Sequence, residues 1–149
     1  GVFGMAGGQC ADIEAEKKPV DEEDIRLLSY IHKNKTAALI ESALMIGAIL
    51  AGASAKEVEA MEKVGENTGL AFQIRDDILD VTGDMATLGK PVGSDEKNQK
   101  ITYVSLYGIE QARQEVRRLS EEALGLLRER EGRNLFLEWL VESLILREK

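Results

Sequence analysis

Apolar and polar positions follow a helical rather than a strand period along almost the whole chain. Val, Ile and Thr do not gather in alternating runs, so an all-α fold is predicted. A first helix is expected over about 1–17. Its glycines Gly1, Gly4 and Gly8 fall near one face and would admit close helix contact. Pro19 and the acidic DEED at Asp21 to Asp24 then mark a boundary. Acids also suit the positive end of the helix that follows. That helix is expected to run unbroken over about 23–52. Its most apolar part is TAALIESALMIGAILAGA, residues 36–53. This run is short for a bilayer span and contains Glu41, so it reads as a buried core helix, not a membrane span. Ser54 with Glu57 predicts a capping box opening a helix that reaches about 81. Residues 83–100 are rich in Gly, Lys and Asp and read as a loop. Two more helices are expected from about 102, broken near Gly132. Val116, Leu119, Ala123, Leu126 and Leu127 would be the core stripe of one; Phe136, Trp139, Leu140 and Leu144 that of the other.

The segment FQIRDDILDVTGD, from Phe72 to Asp84, breaks this pattern. It places Asp76, Asp77 and Asp80 inside an apolar helical run. At about 100° per residue, Asp80 lies about 40° from Asp76 and Gln73 about 60° from it. Asp77 stands about 100° away, at the flank of that stripe. Leu70, Ile74, Ile78 and Val81 occupy the opposite side, which is expected to face a core. Like charges at i,i+4 cost a helix roughly 0.2–0.5 kcal/mol, and Asp is a poor helix former. Rules broken in one place mark a candidate functional site. A solvated acidic face would also carry these acids, but the apolar residues around them argue against it. A hard cation would relieve the repulsion. Oxygen donors without nearby His or Cys suit Mg²⁺, which usually completes its octahedron with water and substrate phosphate.

A phosphate site also needs cations. Around Lys35, the residues Leu28, Ile31, Leu39, Ser42, Ile46 and Ile49 all lie within about 40° on an ideal helix. Lys35 is therefore expected in an apolar stripe, where an ammonium needs an anionic partner. Thr36 and His32 sit on the neighbouring flank; His32, the only histidine, reads as a helix-face residue and not as a catalyst. Lys90 and Lys100 follow the aspartates in the loop. Lys90 lies between Gly89 and Pro91 and could reach back over the helix end, whereas Lys97 reads as solvated. Lys100 precedes the apolar run ITYVSLYG and would be anchored at a helix start.

Length and charge narrow the field. With 149 residues the chain is one domain by size, able to bury roughly two-thirds of its unfolded surface. A net charge of −8 and a pI near 4.8 argue against nucleic acid as partner. The single Cys10 allows no internal disulfide and suits a cytoplasmic setting. Residues 1–11 lack a basic leader, and the absence of a starting Met fits a piece of something longer.

Taken together, these segments resemble the trans-isoprenyl diphosphate synthases, the polyprenyl synthetases. GMAGGQCADIE, IHKNKTAALIESALMIGAILAGA, GLAFQIRDDILDVTGD and LGKPVGSDEKNQKITYVSLYG are similar, in this order, to four motifs of that family. The bacterial short-chain branch, making geranyl, farnesyl or geranylgeranyl diphosphate, is the most similar. The resemblance implies part of an isoprenoid synthase helical bundle around a central cavity. It also implies head-to-tail condensation of an allylic diphosphate with isopentenyl diphosphate. Asp76 would ligate Mg²⁺, supported by Asp77 and Asp80. Lys35 and Lys90 would hold the allylic diphosphate, with Lys100 assisting and Thr36 and Gln73 completing the cradle. One departure matters: family members carry a first aspartate-rich motif, DDxxxxD, followed by arginines, and this chain has none. DEED has the wrong spacing. The expectation is therefore a C-terminal half, incomplete on its own, which exposes an apolar patch and either oligomerises or joins a complementary N-terminal half. A non-catalytic regulatory subunit and a terpene cyclase-like chemistry are the competing readings.

Overall fold

The computed structural model describes residues 1–15, 24–83, 100–129 and 133–146, and those residues are helical and connecting segments without strands. The elements are α1 (Met5–Ala15), α2 (Asp24–His32), a π-helical turn (Lys33–Ala37), α3 (Ala38–Leu50), α4 (Ala55–Thr82), α5 (Tyr103–Tyr107), α6 (Ile109–Arg128) and α7 (Leu135–Leu146). The boundary at Pro19 and Asp21, the loop lysines Lys90 and Lys97, and the break at Gly132 lie outside the described residues.

Helix α4 is the axis of the molecule. The expected capping box opens it: the Glu57 N–H donates to Ser54 Oγ, while Ser54 N–H donates to Glu57 Oε2 at 2.8 Å. On one side α4 packs against α6 and α7. Met61, Val64, Ala71, Ile74 and Ile78 meet Ala112, Val116, Leu119, Ala123 and Leu127 there, and Val141 and Ile145 close the cluster. On its other side α4 carries α3 and the π turn. That contact is backbone against backbone. A Cβ on Gly69 would collide with the main chain of Ala37. Gly8 of α1 meets the main chain of Asn34 and Lys35 in the same way, which seats α1 on the π turn. Gly1 and Gly4, by contrast, make no such approach. Gly69→Ala is therefore expected to destabilise the chain by about 1–3 kcal/mol, the usual cost of overpacking a tight contact. Thermal melting checks this; an unchanged Tm would mean the contact is looser than drawn.

Four expectations are corrected. The helix over 23–52 is interrupted: the Ala38 N–H bonds to the carbonyl of Lys33, five residues back. Such a turn admits one extra residue and advances the helical phase by about 100°. The stripe drawn through Lys35 therefore splits. Leu28 and Ile31 before the turn are buried, whereas Leu39, Ile46 and Ile49 after it are more than half exposed. Helix α3 contains no buried residue, so it is not a buried core helix; it shows an apolar face with Leu50 at its end. In α7, Phe136 and Trp139 lie outside and Val141 and Ile145 lie inside. The register of α7 is set by Glu138, buried and bonded to Arg128 and Arg133 across the α6–α7 corner. The Arg133 and Arg128 hydrogen bonds hold the Glu138 carboxyl down to about 2. In α4, Val81 is exposed and does not join Ile74 and Ile78 in the core.

Candidate diphosphate and metal site

The π turn aims its side chains at the middle of α4. Thr36 Oγ1 donates to Gln73 Oε1 at 3.0 Å, tying the turn to the helix that carries the aspartates. That bond leaves both amide N–H groups of Gln73 available as donors. Lys35 Nζ reaches Asp12 Oδ2 of α1 at 2.7 Å. Lys100, three residues before the start of α5, brings its ammonium to the same oxygen at 3.3 Å. These residues, with Asp76, Asp77, His32 and Thr102, line a cavity of about 200 Å³. Its lining combines the Lys35 and Lys100 ammoniums with the carboxylates of Asp12, Asp76 and Asp77 and the apolar Leu28, Ile31 and Ile101.

Asp12 escaped the reading of the sequence, although it stands inside GMAGGQCADIE. The readable signal was its spacing: it lies one turn after Gly8, the residue that touches the Lys35 backbone. Burial alone would raise the Asp12 carboxyl, but the hydrogen bond and charge of Lys35, with Lys100, outweigh it and hold the group below its ordinary value. The anionic partner expected for Lys35 is thus supplied by the chain itself.

The three aspartates of α4 do not sit alike. Asp76 and Asp77 line the cavity, while Asp80 is buried one turn onward and does not line it. Asp77 Oδ2 accepts the Tyr103 N–H at 2.7 Å, which fixes the start of α5 to α4. The capping box of Thr102 and Ser105 holds that start from the other side. Lys90 lies outside the described residues, so the cavity is drawn without it.

His32 lies on the inward face of its helix. It is buried with Nε2 3.6 Å from Asp77 Oδ2, too long for a hydrogen bond. Burial pushes the imidazole down to about 4, opposed by the charge of Asp12. His32 is therefore neutral at pH 7. Because its folded pKa lies below the unfolded value of 6.5, the unfolded state binds more protons between those limits. Stability is full above 6.5 and falls as pH drops from 6.5 towards 4. A lone histidine gives a clean NMR titration: a midpoint near 4 is expected, and one near 6.5 would contradict its burial.

The donor set tests the fit of a metal. Among the described residues no three His, Cys, Asp or Glu side chains converge to hold an ion alone. Asp76 and Asp77 supply hard oxygens, and no sulfur ligand stands among the described lining residues. One or two carboxylates completed by phosphate oxygens and water is the usual arrangement for Mg²⁺. The residues fit that ion, bound together with an anionic substrate.

Ammoniums and carboxylates thus line one cavity within an all-helical frame. The chain belongs to the polyprenyl synthetase family, whose model matches residues 2–140. It is 43% identical over 153 aligned positions to the farnesyl diphosphate synthase of Escherichia coli, covering 100% of this chain and 50% of that protein. It is 46% identical over 123 to a dimethylallyltranstransferase of Fischerella ambigua, covering 83% and 35%. Among solved structures it is similar to a geranylgeranyl pyrophosphate synthetase from Pyrococcus horikoshii (TM-score 0.79, 28% identity), covering 97% of this chain and 55% of that one. It is also similar to a geranyltransferase from Helicobacter pylori complexed with magnesium and isoprenyl diphosphate (TM-score 0.75, 32% identity), covering 97% and 46%. The chain spans about half the length, or less, of the curated relatives it matches. Among the described residues no helix is long and apolar enough to cross a membrane.

Proposed function

We propose that this chain is the diphosphate-handling, C-terminal half of a cytoplasmic short-chain prenyltransferase. The reaction joins an allylic diphosphate to isopentenyl diphosphate. The allylic C–O bond breaks and its electron pair leaves with diphosphate. The double bond of isopentenyl diphosphate attacks the carbocation, and a proton is lost. The observation that carries this reading is the convergence of Lys35 and Lys100 on Asp12 in a cavity also lined by Asp76 and Asp77, in a chain of this family.

The hard step is separating the anion from the cation, and fixed positive charge lowers that barrier. Asp12 keeps the two ammoniums together before substrate arrives. An incoming diphosphate then takes them over, because its oxygens carry more charge than one carboxylate. Gln73 donates from its amide, held in place by Thr36. Asp76 and Asp77 are the carboxylates that would hold Mg²⁺, with Asp80 supporting from its buried position. When bound, the metal supplies charge neutralisation for the departing diphosphate. Lys90 belongs to the same set of cations in this reading. The exposed face of α3, with Leu39, Ile46 and Ile49, would be covered by the N-terminal half or by a second copy.

Calorimetry with pyrophosphate tests the reading. Binding is expected to need Mg²⁺ and to weaken in Asp76→Asn; Mg²⁺-independent binding, unchanged by that substitution, would sink it. Asp12→Asn gives an opposite sign. It removes the competitor for Lys35 and Lys100, so metal-free pyrophosphate affinity should rise by about 3–10-fold while Tm falls. A drop in that affinity would mean Asp12 positions the lysines without competing for them.

A further inference from the structure

A second cavity, of about 250 Å³, opens between α2, α4, α5 and α6 and shares Leu28 and His32 with the acidic one. Leu70, Ile74 and Leu119 extend its apolar lining. Tyr103 and Tyr107 of α5 line it together, their rings 4.6 Å apart and tilted by 41°. The pair is fixed in advance, because Asp77 accepts the Tyr103 N–H and the Thr102–Ser105 box caps the same helix. Gly108, at a φ of +80° that favours glycine, turns the chain from α5 into α6. Two turns on, Glu115 joins the tyrosines in the lining. Among the described lining residues no lysine or arginine accompanies it. Arg118 holds the Glu115 carboxylate at 2.7 and 2.9 Å, but the same guanidinium also serves Glu122 at 3.0 Å. Two carboxylates on one guanidinium leave one negative charge over. The Arg118 hydrogen bond keeps Glu115 below its ordinary value, so it stays ionised, and each of its oxygens can accept again. Burial, and after it the charge of Glu115, raise the Tyr103 hydroxyl, so that ring is neutral and lies within reach of the carboxylate's field.

We propose that this cavity binds a small organic monocation, an alkylated ammonium with an apolar tail, its charged end against Tyr103, Tyr107 and Glu115. A cation within about 6 Å of a ring centroid is attracted by the aromatic quadrupole, and quaternary ammoniums are recognised in this way. Two neutral rings and one ionised carboxylate supply that attraction at one place. The leucines and Ile74 cover the tail, whose burial adds to binding. The size fits. An engineered apolar cavity of about 150 Å³ takes benzene, so this one takes a phenyl-sized tail with a small ammonium head. Anions are disfavoured by the surplus negative charge. A bare Mg²⁺ would find one carboxylate here, where it requires octahedral oxygen ligation. The acidic cavity has several carboxylates and no Tyr, Phe or Trp in its described lining. It suits a hard ion, and the tyrosine cavity suits a soft one.

Benzyltrimethylammonium is the probe, added to the whole chain and followed by NMR. Saturable shifts are expected, with contacts from the probe to the Tyr107 ring and the Leu119 methyls, which line this cavity and not the acidic one. Glu115→Gln should weaken binding about 2–5-fold, the worth of a partly exposed ion pair. Tyr107→Leu keeps apolar bulk, removes one ring and should weaken binding about 3–10-fold. Neither residue is buried, so both variants should keep the wild-type Tm, and either one alone suffices for the comparison. Benzoate, the same ring with an anionic end, should give no saturable shifts. Non-saturable shifts, or contacts to Gln73 and Lys100 of the acidic cavity in place of Tyr107 and Leu119, would overturn the site. Affinity unchanged in a folded Glu115→Gln or Tyr107→Leu variant, or benzoate binding as tightly as the cation, would overturn the choice of a cation.

Discussion

Lys35→Gln is expected to lower kcat for prenyl transfer by about 10²–10³-fold, with a smaller change in KM. The side chain keeps its length and loses its charge. In the proposed reaction Lys35 would meet the negative charge gathering on the departing diphosphate, and its ammonium is already fixed by Asp12 at 2.7 Å. A preorganised donor at developing charge is worth about 2.7–4 kcal/mol when removed. The Lys100 ammonium remains on the same Asp12 oxygen and limits the loss. Its distance of 3.3 Å predicts that Lys100→Gln costs less than Lys35→Gln. The measurement is steady-state transfer of labelled isopentenyl diphosphate by the complemented enzyme. A change confined to KM would instead make Lys35 a ground-state binding residue.

Asp76→Asn is expected to cost about 10²-fold or more, and excess Mg²⁺ should recover part of it. The metal supplies several kcal/mol of charge stabilisation in such reactions, and weakening one of two cavity carboxylates removes a large share. Asp77→Asn should behave differently. Asp77 also accepts the Tyr103 N–H, so its loss should lower Tm as well as rate. Comparing melting curves with Mg²⁺ dependence separates the two. If both variants lost stability equally and kept their metal dependence, the acids would be structural.

Lys35, Lys100, Asp76 and Asp77, which share the cavity, stood out in the sequence because they break local rules. Acids inside FQIRDDILD and a lysine beside an apolar run cost free energy unless something compensates. The all-helical class was equally legible, since periodicity and capping agree at Ser54 and Glu57. The phase of α3 was not. A π turn leaves no compositional mark in KNKTA, yet it rotates every later side chain and turns Leu39 and Ile46 outward. Asp12 was hidden for a related reason. Its partners are 23 and 88 residues away, and only the seating of α1 on the turn by Gly8 brings them together. The face of α7 was ambiguous because LFLEWLVESLIL is apolar nearly all round. There the pairing of the buried Glu138 with the half-exposed Arg128 and Arg133 decides the register, and an acid is not the residue one expects to face inward.

The exposed side of α3 ties the fold to the function. Its apolar residues need cover, and the relatives are about twice as long or longer. The most direct measurement is therefore prenyl transfer by this chain mixed with the N-terminal half of the Escherichia coli relative. Geranyl diphosphate, labelled isopentenyl diphosphate and Mg²⁺ would be supplied. Mg²⁺-dependent product from the mixture, lost with Asp76→Asn, is the predicted result. Two folded halves that associate and still give no product would contradict it.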